Sequence, residues 1–181
     1  SVGKLVRKRS HTRKQLELLY RLARYFAPPT ILEFGTAAGI SAIYLGKGSP
    51  KSKIVTLEGC MGLASVARKS FKKREINAEV EVGEFDAIID HVLESFSTLD
   101  MVFFDGNHRK DATLNYFEKC AAKSNEKSVF MFDDIHWSPG MQSAWNRIKK
   151  VQRVSITIDL YWIGLVFFRT GIEKQDFVIR Y

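Results

Sequence analysis

The chain has 181 residues and a formal net charge of +8, and 45% of its residues are hydrophobic. This length fits one domain that buries roughly 70% of its unfolded surface. No apolar run reaches the ~20 residues that cross a bilayer, and no apolar core follows the basic start SVGKLVRKRS, so we expect neither a transmembrane segment nor a secretory signal. The two cysteines, Cys60 and Cys120, lack metal-ligand spacing and indicate reduced thiols in a cytoplasmic protein.

The positive charge is concentrated at the N-terminus. Residues 1–24 contain eight Lys or Arg and one acid, Glu17, hence +7, which leaves +1 for the rest of the chain. Such a cluster can bind nucleic acid or anionic lipid, but more often it is a solvated face or pairs with acids elsewhere. We expect residues 1–12 to form a basic arm, truncated because the chain starts with Ser, ahead of one domain at 13–181.

The predicted elements alternate between helices and strands. The first helix covers residues 13–26, with Thr12 as its cap and Pro28-Pro29 at its end. Strands are predicted at 30–34, 53–58, 78–82, 99–104 and 128–133, and helices near 39–46, 61–73, 85–95, 109–122 and 139–150. This alternation predicts an α/β fold with a doubly wound, mostly parallel sheet. The patterns at 153–159 and 161–169 have no helix between them and add a C-terminal antiparallel hairpin, for seven strands in all.

The segment ILEFGTAAG, residues 31–39, predicts a strand, a glycine turn and a helix start. Such a turn brings backbone N–H groups close to a ligand, and an acid about 20 residues later can hold a ribose hydroxyl. Glu58 lies 19 positions after Gly39, which favours an adenosine-containing cofactor. Ala37 replaces the middle glycine of a dinucleotide fingerprint. The alternative is a tight turn with no ligand, in which Glu33 is a cap.

The pattern E-x-G-x-x-x-G, from Glu33 to Gly39, resembles the first motif of class I S-adenosyl-L-methionine (SAM)-dependent methyltransferases. The resemblance implies the Rossmann-like methyltransferase fold and a site for SAM. It places Glu33 near the cofactor's ammonium group and Phe85 and Asp86 at the adenine. The cofactor-binding residues that it implies are Glu33, Gly35, Thr36, Gly39, Glu58, Phe85, Asp86 and Asp105.

Acidic residues follow two of the predicted strands. Asp105 follows LDMVFF, and Asp133 and Asp134 end VFMFDD. Ligands of doubly wound sheets bind outside the carboxyl ends of the strands, where these carboxylates would repel each other without a cation or hydrogen-bond donors. All-oxygen ligands suit Mg²⁺, Ca²⁺ or Mn²⁺. The alternative is that each aspartate caps the next helix, although Asp111 and Ser138 are available for that.

FFDGNHRK and FDDIHWS resemble the catechol-type, divalent-metal-dependent O-methyltransferases over residues 13–169. Catechol enzymes have Lys three positions after the first aspartate and Asn as second member of the acidic pair, where this chain has His108 and Asp134. Macrolide-sugar O-methyltransferases, with an Asp ligand and a His base, are more similar, as are bacterial methyltransferase-like proteins of unassigned substrate. The resemblance implies O-methylation of a small-molecule hydroxyl, with Asp105, Asp133 and Asp134 as metal ligands and His108 as catalytic base beside Asp105.

Those families carry extra N-terminal helices over the acceptor site, and only about 12 residues precede the first predicted helix here. We expect that cover to be absent or shortened. His136 and Trp137 are candidates to line the acceptor pocket, although Trp137 is as readily a packing residue, and Cys60 is expected to be a small buried filler.

Three other functions stay open. An RNA-directed methyltransferase would use the basic N-terminus, but the chain has no D/N-P-P-Y motif and no Pro-Cys nucleophile. A non-catalytic SAM-binding module fits a missing acceptor cover. A nicotinamide oxidoreductase is disfavoured by Ala37 and by the C-terminal hairpin. The sequence determines neither the acceptor nor the oligomeric state.

Overall fold

The computed structural model describes residues 11–181, so most of the predicted basic arm lies outside the described residues. The chain divides into two compact units, one ending at Ile88 and the other spanning Ile89–Tyr181. Within residues 11–181, no helix combines the length and the apolar character needed to cross a membrane.

The first unit alternates helices with three parallel strands. Its elements are α1 (Arg13–Phe26), β1 (Thr30–Phe34), α2 (Ile40–Gly48), β2 (Lys53–Glu58), α3 (Met61–Arg74), β3 (Ala78–Val82) and the start of α4 (Phe85–Glu94). β2 lies between β1 and β3 and pairs with both in parallel. The order β3-β2-β1 therefore aligns the ends of β1 and β2, which carry Glu33 and Glu58.

Helix α1 begins with a capping box. The Thr12 hydroxyl accepts a hydrogen bond from the Gln15 N–H at 3.3 Å, and the Gln15 side chain accepts one from the Thr12 N–H at 2.6 Å, which satisfies two donors that the first turn leaves unpaired. The helix ends at Phe26 and is followed by its C-cap, Ala27, which is in the left-handed conformation before Pro28. Its apolar face is buried, whereas the basic residues Arg13, Lys14, Arg21 and Arg24 are exposed.

Helices α2 and α3 of the first unit pack closely around Gly39. A Cβ at this position would lie 2.6 Å from Cε1 of Phe71 and 3.2 Å from the Cβ of Ala67. Gly39 also has φ of +78°, where L side chains are strained. The absence of a side chain at Gly39 thus lets α2 start directly against α3, at the end of the glycine turn.

The second unit has five strands. Its elements after α4 are β4 (Leu99–Phe104), α5 (Lys110–Ala121), β5 (Ser124–Asp133), α6 (Pro139–Ile148), β6 (Ile156–Asp159), β7 (Ile163–Phe167) and β8 (Gln175–Val178). Their order is β4-β5-β7-β6-β8. β4 and β5 are parallel, β7 is antiparallel to both β5 and β6, and β8 is parallel to β6.

The predicted hairpin is confirmed as β6 and β7. The described residues 11–181 contain eight strands, so the prediction of seven was wrong. The additional strand is β8, which follows the hairpin. All residues of β8 are exposed, so it lacks the half-buried alternation by which strands are recognised in a sequence. β5 also begins four residues earlier than predicted, at Ser124 rather than at 128.

Aromatic packing holds β4 and β5 together at their carboxyl ends. The Phe104 and Phe132 rings stack with centroids 4.3 Å apart and an interplanar angle of 5°, and the Phe117 ring of α5 lies 6.0 Å from Phe132. All three side chains are buried. This cluster fixes the strand ends from which Asp105 and Asp133 project.

Candidate functional site

The turn from β1 to α2 is held by β2. Gly35, Ala37 and Gly39 all have positive φ, at 98°, 45° and 78°. The N–H groups of Gly35 and Thr36 both donate to the carbonyl oxygen of Leu57, each at 3.0 Å. The glycine turn predicted from the sequence is therefore present, and it is anchored to the strand that ends in Glu58.

A buried chain of polar side chains lies beneath this turn. The Thr56 hydroxyl donates to Oε2 of Glu33, and the hydroxyls of Thr36 and Thr56 are 2.7 Å apart. Because Thr56 has one hydroxyl proton, Thr36 must donate to Thr56. Glu33, Thr36 and Thr56 are at most 1% exposed. The Thr56 hydroxyl thus orients the carboxylate of Glu33, and the Thr36 hydroxyl of the turn in turn orients that of Thr56.

Glu58 bridges the glycine turn and the start of α3. Its Oε2 accepts from the Ala37 N–H and its Oε1 from the Cys60 N–H, both at 2.8 Å. A carboxylate oxygen can accept more than one hydrogen bond, so these contacts leave acceptor capacity on Glu58. The side chain is 9% exposed, which keeps it within reach of a ligand at the turn.

The two residues predicted at the adenine lie at the start of α4. The Phe85 ring is half-buried, with its centroid 5.7 Å from that of Phe34 in an edge-to-face arrangement. Asp86 is exposed in the first turn of the helix. The Gly83 N–H donates to the carbonyl oxygen of Glu58 at 3.0 Å. This bond ties the segment before α4 to the end of β2.

In the second unit, the structure brings the predicted acids close together in two sets. One ligand atom each of His108, Asp133 and Asp134 lie within 4.8 Å of one another, and so do oxygens of Asp105 and Asp133. His108 Nε2 is 3.8 Å from Oδ1 of Asp105, with the two side chains 28% and 21% exposed. Asp133 is 5% exposed. Two carboxylates and an imidazole at this separation could hold a metal ion.

None of these aspartates caps a following helix. α6 is capped by Ser138, whose Oγ accepts from the Met141 N–H at 3.1 Å. α5 begins after Arg109, and in the described part of the chain no side chain caps it, so Asp111 lies in its first turn without the predicted capping role. Asp134 has φ of 55°, and its N–H donates to the Trp162 carbonyl oxygen at 2.7 Å. The β6–β7 turn thus sets the geometry of the acidic pair.

The two cysteines differ in environment. Cys60 is exposed, so the expectation of a buried filler was wrong. It precedes the first residue of α3, where the backbone bonds to Glu58 and the side chain faces outward. Cys120 is fully buried, and burial raises the pKa of its thiol.

Sequence reasoning missed two features of the site. Thr56 looks like any β-branched strand residue. Only the alternation of side chains along β2 could have indicated that Thr56 lies on the opposite face from Val55 and Leu57. The second feature is a pair 23 positions apart, His136 and Asp159, whose Nε2 and Oδ2 are 2.8 Å apart. The Tyr161 ring stacks on His136 with centroids 5.4 Å apart. The Trp137 side chain is 74% exposed, so it is not the packing residue that one interpretation expected.

Comparisons with known sequences identify relatives of this chain. The family model described as a methyltransferase domain matches residues 32–135. Catechol O-methyltransferase of Niastella koreensis is 28% identical over 125 residues, covering 67% of this chain and 56% of that protein. Catechol O-methyltransferase of Mycobacterium tuberculosis is 28% identical over 128 residues, covering 67% of this chain and 55% of that protein. The chain therefore spans about half the length of these curated relatives.

A solved structure is also similar. The O-methyltransferase TomG of Streptomyces achromogenes, in complex with SAM, matches with a TM-score of 0.78 at 22% identity, covering 93% of this chain and 87% of that chain. This similarity shows the fold. It confirms the predicted α/β Rossmann-like methyltransferase fold, with a mostly parallel sheet and C-terminal antiparallel strands.

Proposed function

Because the chain belongs to the methyltransferase domain family, we propose that it transfers a methyl group from SAM to a hydroxyl oxygen of a small molecule, assisted by a divalent cation. The observation that carries the proposal is the grouping of His108, Asp133 and Asp134, whose ligand atoms lie within 4.8 Å of one another. Such a group supplies both acid–base and cation chemistry beside an acceptor oxygen.

The first unit is proposed to bind SAM, which supplies an electrophilic methyl group. Glu33 would face the cofactor's ammonium group from its buried position on Thr56. Glu58 would accept from the ribose hydroxyls while it keeps its bonds to the Ala37 and Cys60 N–H groups. Gly35, Thr36 and Gly39 shape the turn, and Phe85 and Asp86 would contact the adenine.

The second unit is proposed to hold the cation, with Asp105, Asp133 and Asp134 as its ligands. These residues fit a hard cation such as Mg²⁺ or Ca²⁺, because they offer carboxylate oxygens and the oxygens of Asp105 and Asp133 approach within 4.8 Å. When bound, a divalent cation supplies Lewis acidity that eases deprotonation of a hydroxyl.

His108 is proposed to accept the proton of the acceptor hydroxyl. It lies 3.8 Å from Asp105, whose negative charge would stabilise the imidazolium that results. General base catalysis of this kind contributes typically 10²–10⁴-fold. Since His108 also lies in the donor set with Asp133 and Asp134, the competing role is metal ligation. His108→Asn separates the two: loss of turnover with unchanged Mg²⁺ affinity identifies a base, and weakened Mg²⁺ affinity identifies a ligand.

The first experiment is calorimetric titration with S-adenosylhomocysteine, with and without Mg²⁺, with NAD as control. The proposal expects micromolar binding of S-adenosylhomocysteine and no binding of NAD. Binding of NAD would overturn the assignment of the cofactor and favour the oxidoreductase. Binding of S-adenosylhomocysteine with no turnover on any hydroxyl would favour the non-catalytic module.

The metal site is tested by Asp105→Asn, with Asp111→Asn as matched control. Asp111 is an exposed acid in the first turn of α5, outside the two candidate metal groups. Asp105→Asn should abolish Mg²⁺-stimulated turnover and leave binding of S-adenosylhomocysteine largely intact, whereas Asp111→Asn should change neither. Full Mg²⁺-dependent turnover in Asp105→Asn would show that the site is assigned wrongly.

Catechol is the first acceptor to test, because two curated relatives bear the name catechol O-methyltransferase. His136 and the exposed ring of Trp137 are proposed to line the acceptor pocket, since they lie two and three residues after the acidic pair. A cytoplasmic location stays a prediction. RNA is the alternative acceptor. Methylation of RNA that falls steeply with salt, with none of catechol, would replace the small-molecule proposal.

A further inference from the structure

Strand β8 is an edge strand whose second half, together with the next residue Ile179, is apolar and exposed. It is the last strand in the order β4-β5-β7-β6-β8, and its one neighbour among the described residues is β6. The side chain of Val178 is 82% exposed, and those of Phe177 and Ile179 are 45% and 48% exposed. An exposed apolar edge is a template for pairing with another strand.

The backbone of β8 presents alternate residues to the open edge. The N–H groups of Gln175 and Ile179 donate to carbonyl oxygens of Ser155 and Asp159 in the β6 segment. Because backbone direction alternates along a strand, the N–H and C=O groups of Asp176, Val178 and Arg180 point away from β6. These three residues would make the hydrogen bonds to an added strand.

Charge separates the three registers of pairing with a second copy that are centred on Asp176, Phe177 and Val178. In an antiparallel pair, outward-pointing residues lie opposite outward-pointing residues. A two-fold axis at Asp176 would put the Asp176 carboxylates opposite each other, and an axis at Phe177 would put Lys174 opposite Arg180; like charges opposite each other are destabilising. An axis at Val178 puts Asp176 opposite Arg180 on both sides.

We propose that the chain forms a two-fold symmetric homodimer by antiparallel pairing of β8 with β8 of a second copy, centred on Val178. In this register Val178 exchanges both backbone hydrogen bonds with its counterpart, and Phe177 lies opposite Ile179 on the other face. The same residues of each copy thus form both sides of the contact: apolar side chains pack on apolar side chains, and Asp176 of each copy pairs with Arg180 of the other. This self-complementarity is what an isologous interface requires.

We expect the dimer to dissociate reversibly at micromolar concentrations of the protein. A single added strand pair buries less than the ~1,200 Å² of total surface that stable interfaces bury. The Thr157 hydroxyl donates to the Asp176 carboxylate at 2.5 Å, which orders that side chain before pairing and lowers the entropic cost of association.

The charge pairs are tested with two single variants of the full chain, Asp176→Lys and Arg180→Asp, by sedimentation equilibrium. In each variant alone, both cross-strand pairs become like charges, and the dimer dissociation constant should rise at least about tenfold. An equimolar mixture should form a heterodimer, because the lysine introduced in one copy then faces the aspartate introduced in the other. A parent chain that stays monomeric at about 200 µM, or a mixture that associates no better than its components, overturns the proposal.

The backbone contacts are tested with Val178→Pro, with Phe177→Pro as matched control. The Val178 N–H points to the open edge, so Val178→Pro should abolish dimerisation and leave the unfolding temperature of the monomer nearly unchanged. The Phe177 N–H points towards β6, so Phe177→Pro should detach β8 and lower that temperature. Dimerisation that survives Val178→Pro places the interface elsewhere and overturns the proposal.

Discussion

Thr56 connects the polar residues under the glycine turn. Its hydroxyl donates to Glu33 and accepts from Thr36, in surroundings that are fully buried. Thr56→Val keeps the shape of the side chain and removes both hydrogen bonds. We expect a loss of about 1–3 kcal/mol in the free energy of unfolding and weaker binding of S-adenosylhomocysteine, measured by urea denaturation and by calorimetry.

Thr56→Ser is the control, since it keeps the hydroxyl and removes a methyl group. It should restore most of the affinity for S-adenosylhomocysteine even though its own stability falls through the lost methyl. Equal affinities in the valine and serine variants would mean that the orientation of Glu33 does not matter for the cofactor.

The two thiols should differ in reactivity. Cys60 is exposed, whereas Cys120 is buried and burial raises the pKa of its thiol, so the reactive thiolate of Cys120 is suppressed. With Ellman's reagent at about pH 8, the absorbance should report one reactive thiol in the folded protein and a second one after denaturant is added. Cys60→Ser should remove the fast reaction. A fast reaction that persists in Cys60→Ser would contradict the burial of Cys120.

The sequence predicted the carboxylates of the candidate site better than the hydrogen-bond partners that hold the site residues in place. Glu33, Glu58, Asp105 and Asp133 were identifiable because each ends an apolar run, and the ends of parallel strands share an edge. The supports are contacts between segments more than 20 positions apart, such as Glu58 with the Ala37 N–H and His136 with Asp159. No local pattern encodes these distances, since they depend on strand register.

At the level of elements, Gly39 joins the glycine turn to the packing of α2 on α3. Gly39→Ala combines a strained φ of +78° with a Cβ 2.6 Å from the Phe71 ring. The matched control is Gly171→Ala, because Gly171 has φ of +73° and nothing within 4 Å of an added Cβ. The control should lose about 1 kcal/mol, and Gly39→Ala about 1–3 kcal/mol more because of overpacking, measured by urea denaturation. Equal losses would show that the Phe71 ring moves aside freely.

Strand and helix prediction succeeded where burial and periodicity agreed. The bounds of β1 to β4 match the predictions because β1, β2 and β4 are largely apolar runs that end at a turn or an acid, and β3 alternates glutamates with apolar residues. The start of β5 was missed because Ser124 to Lys127 are polar and only partly buried. β8 was missed because its pairing with β6 depends on backbone hydrogen bonds, which the sequence QDFV does not reveal.

At the scale of the whole molecule, the uneven charge separates a basic N-terminus from a nearly neutral remainder. Residues 1–24 carry +7 of the net +8, and Arg21 and Arg24 of α1 are exposed. Binding of a polyanion releases counterions from each contacted site, so its salt dependence reports which cations take part. Replacing Arg21 and Arg24 with Gln should therefore lower the salt concentration at which the protein elutes from heparin.

Lys72→Gln with Lys73→Gln is the matched control, since it removes the same charge from exposed residues of α3. We expect a smaller shift in heparin elution for this pair, because these lysines lie outside the N-terminal cluster. Neither pair should change the affinity for S-adenosylhomocysteine, since the proposed contacts to SAM are carboxylates, the glycine turn and Phe85. Equal elution shifts would indicate that polyanion binding is spread over the surface. A loss of cofactor affinity confined to the α1 pair would instead place its arginines at the SAM site, and the proposed separation of basic face from cofactor site would be wrong.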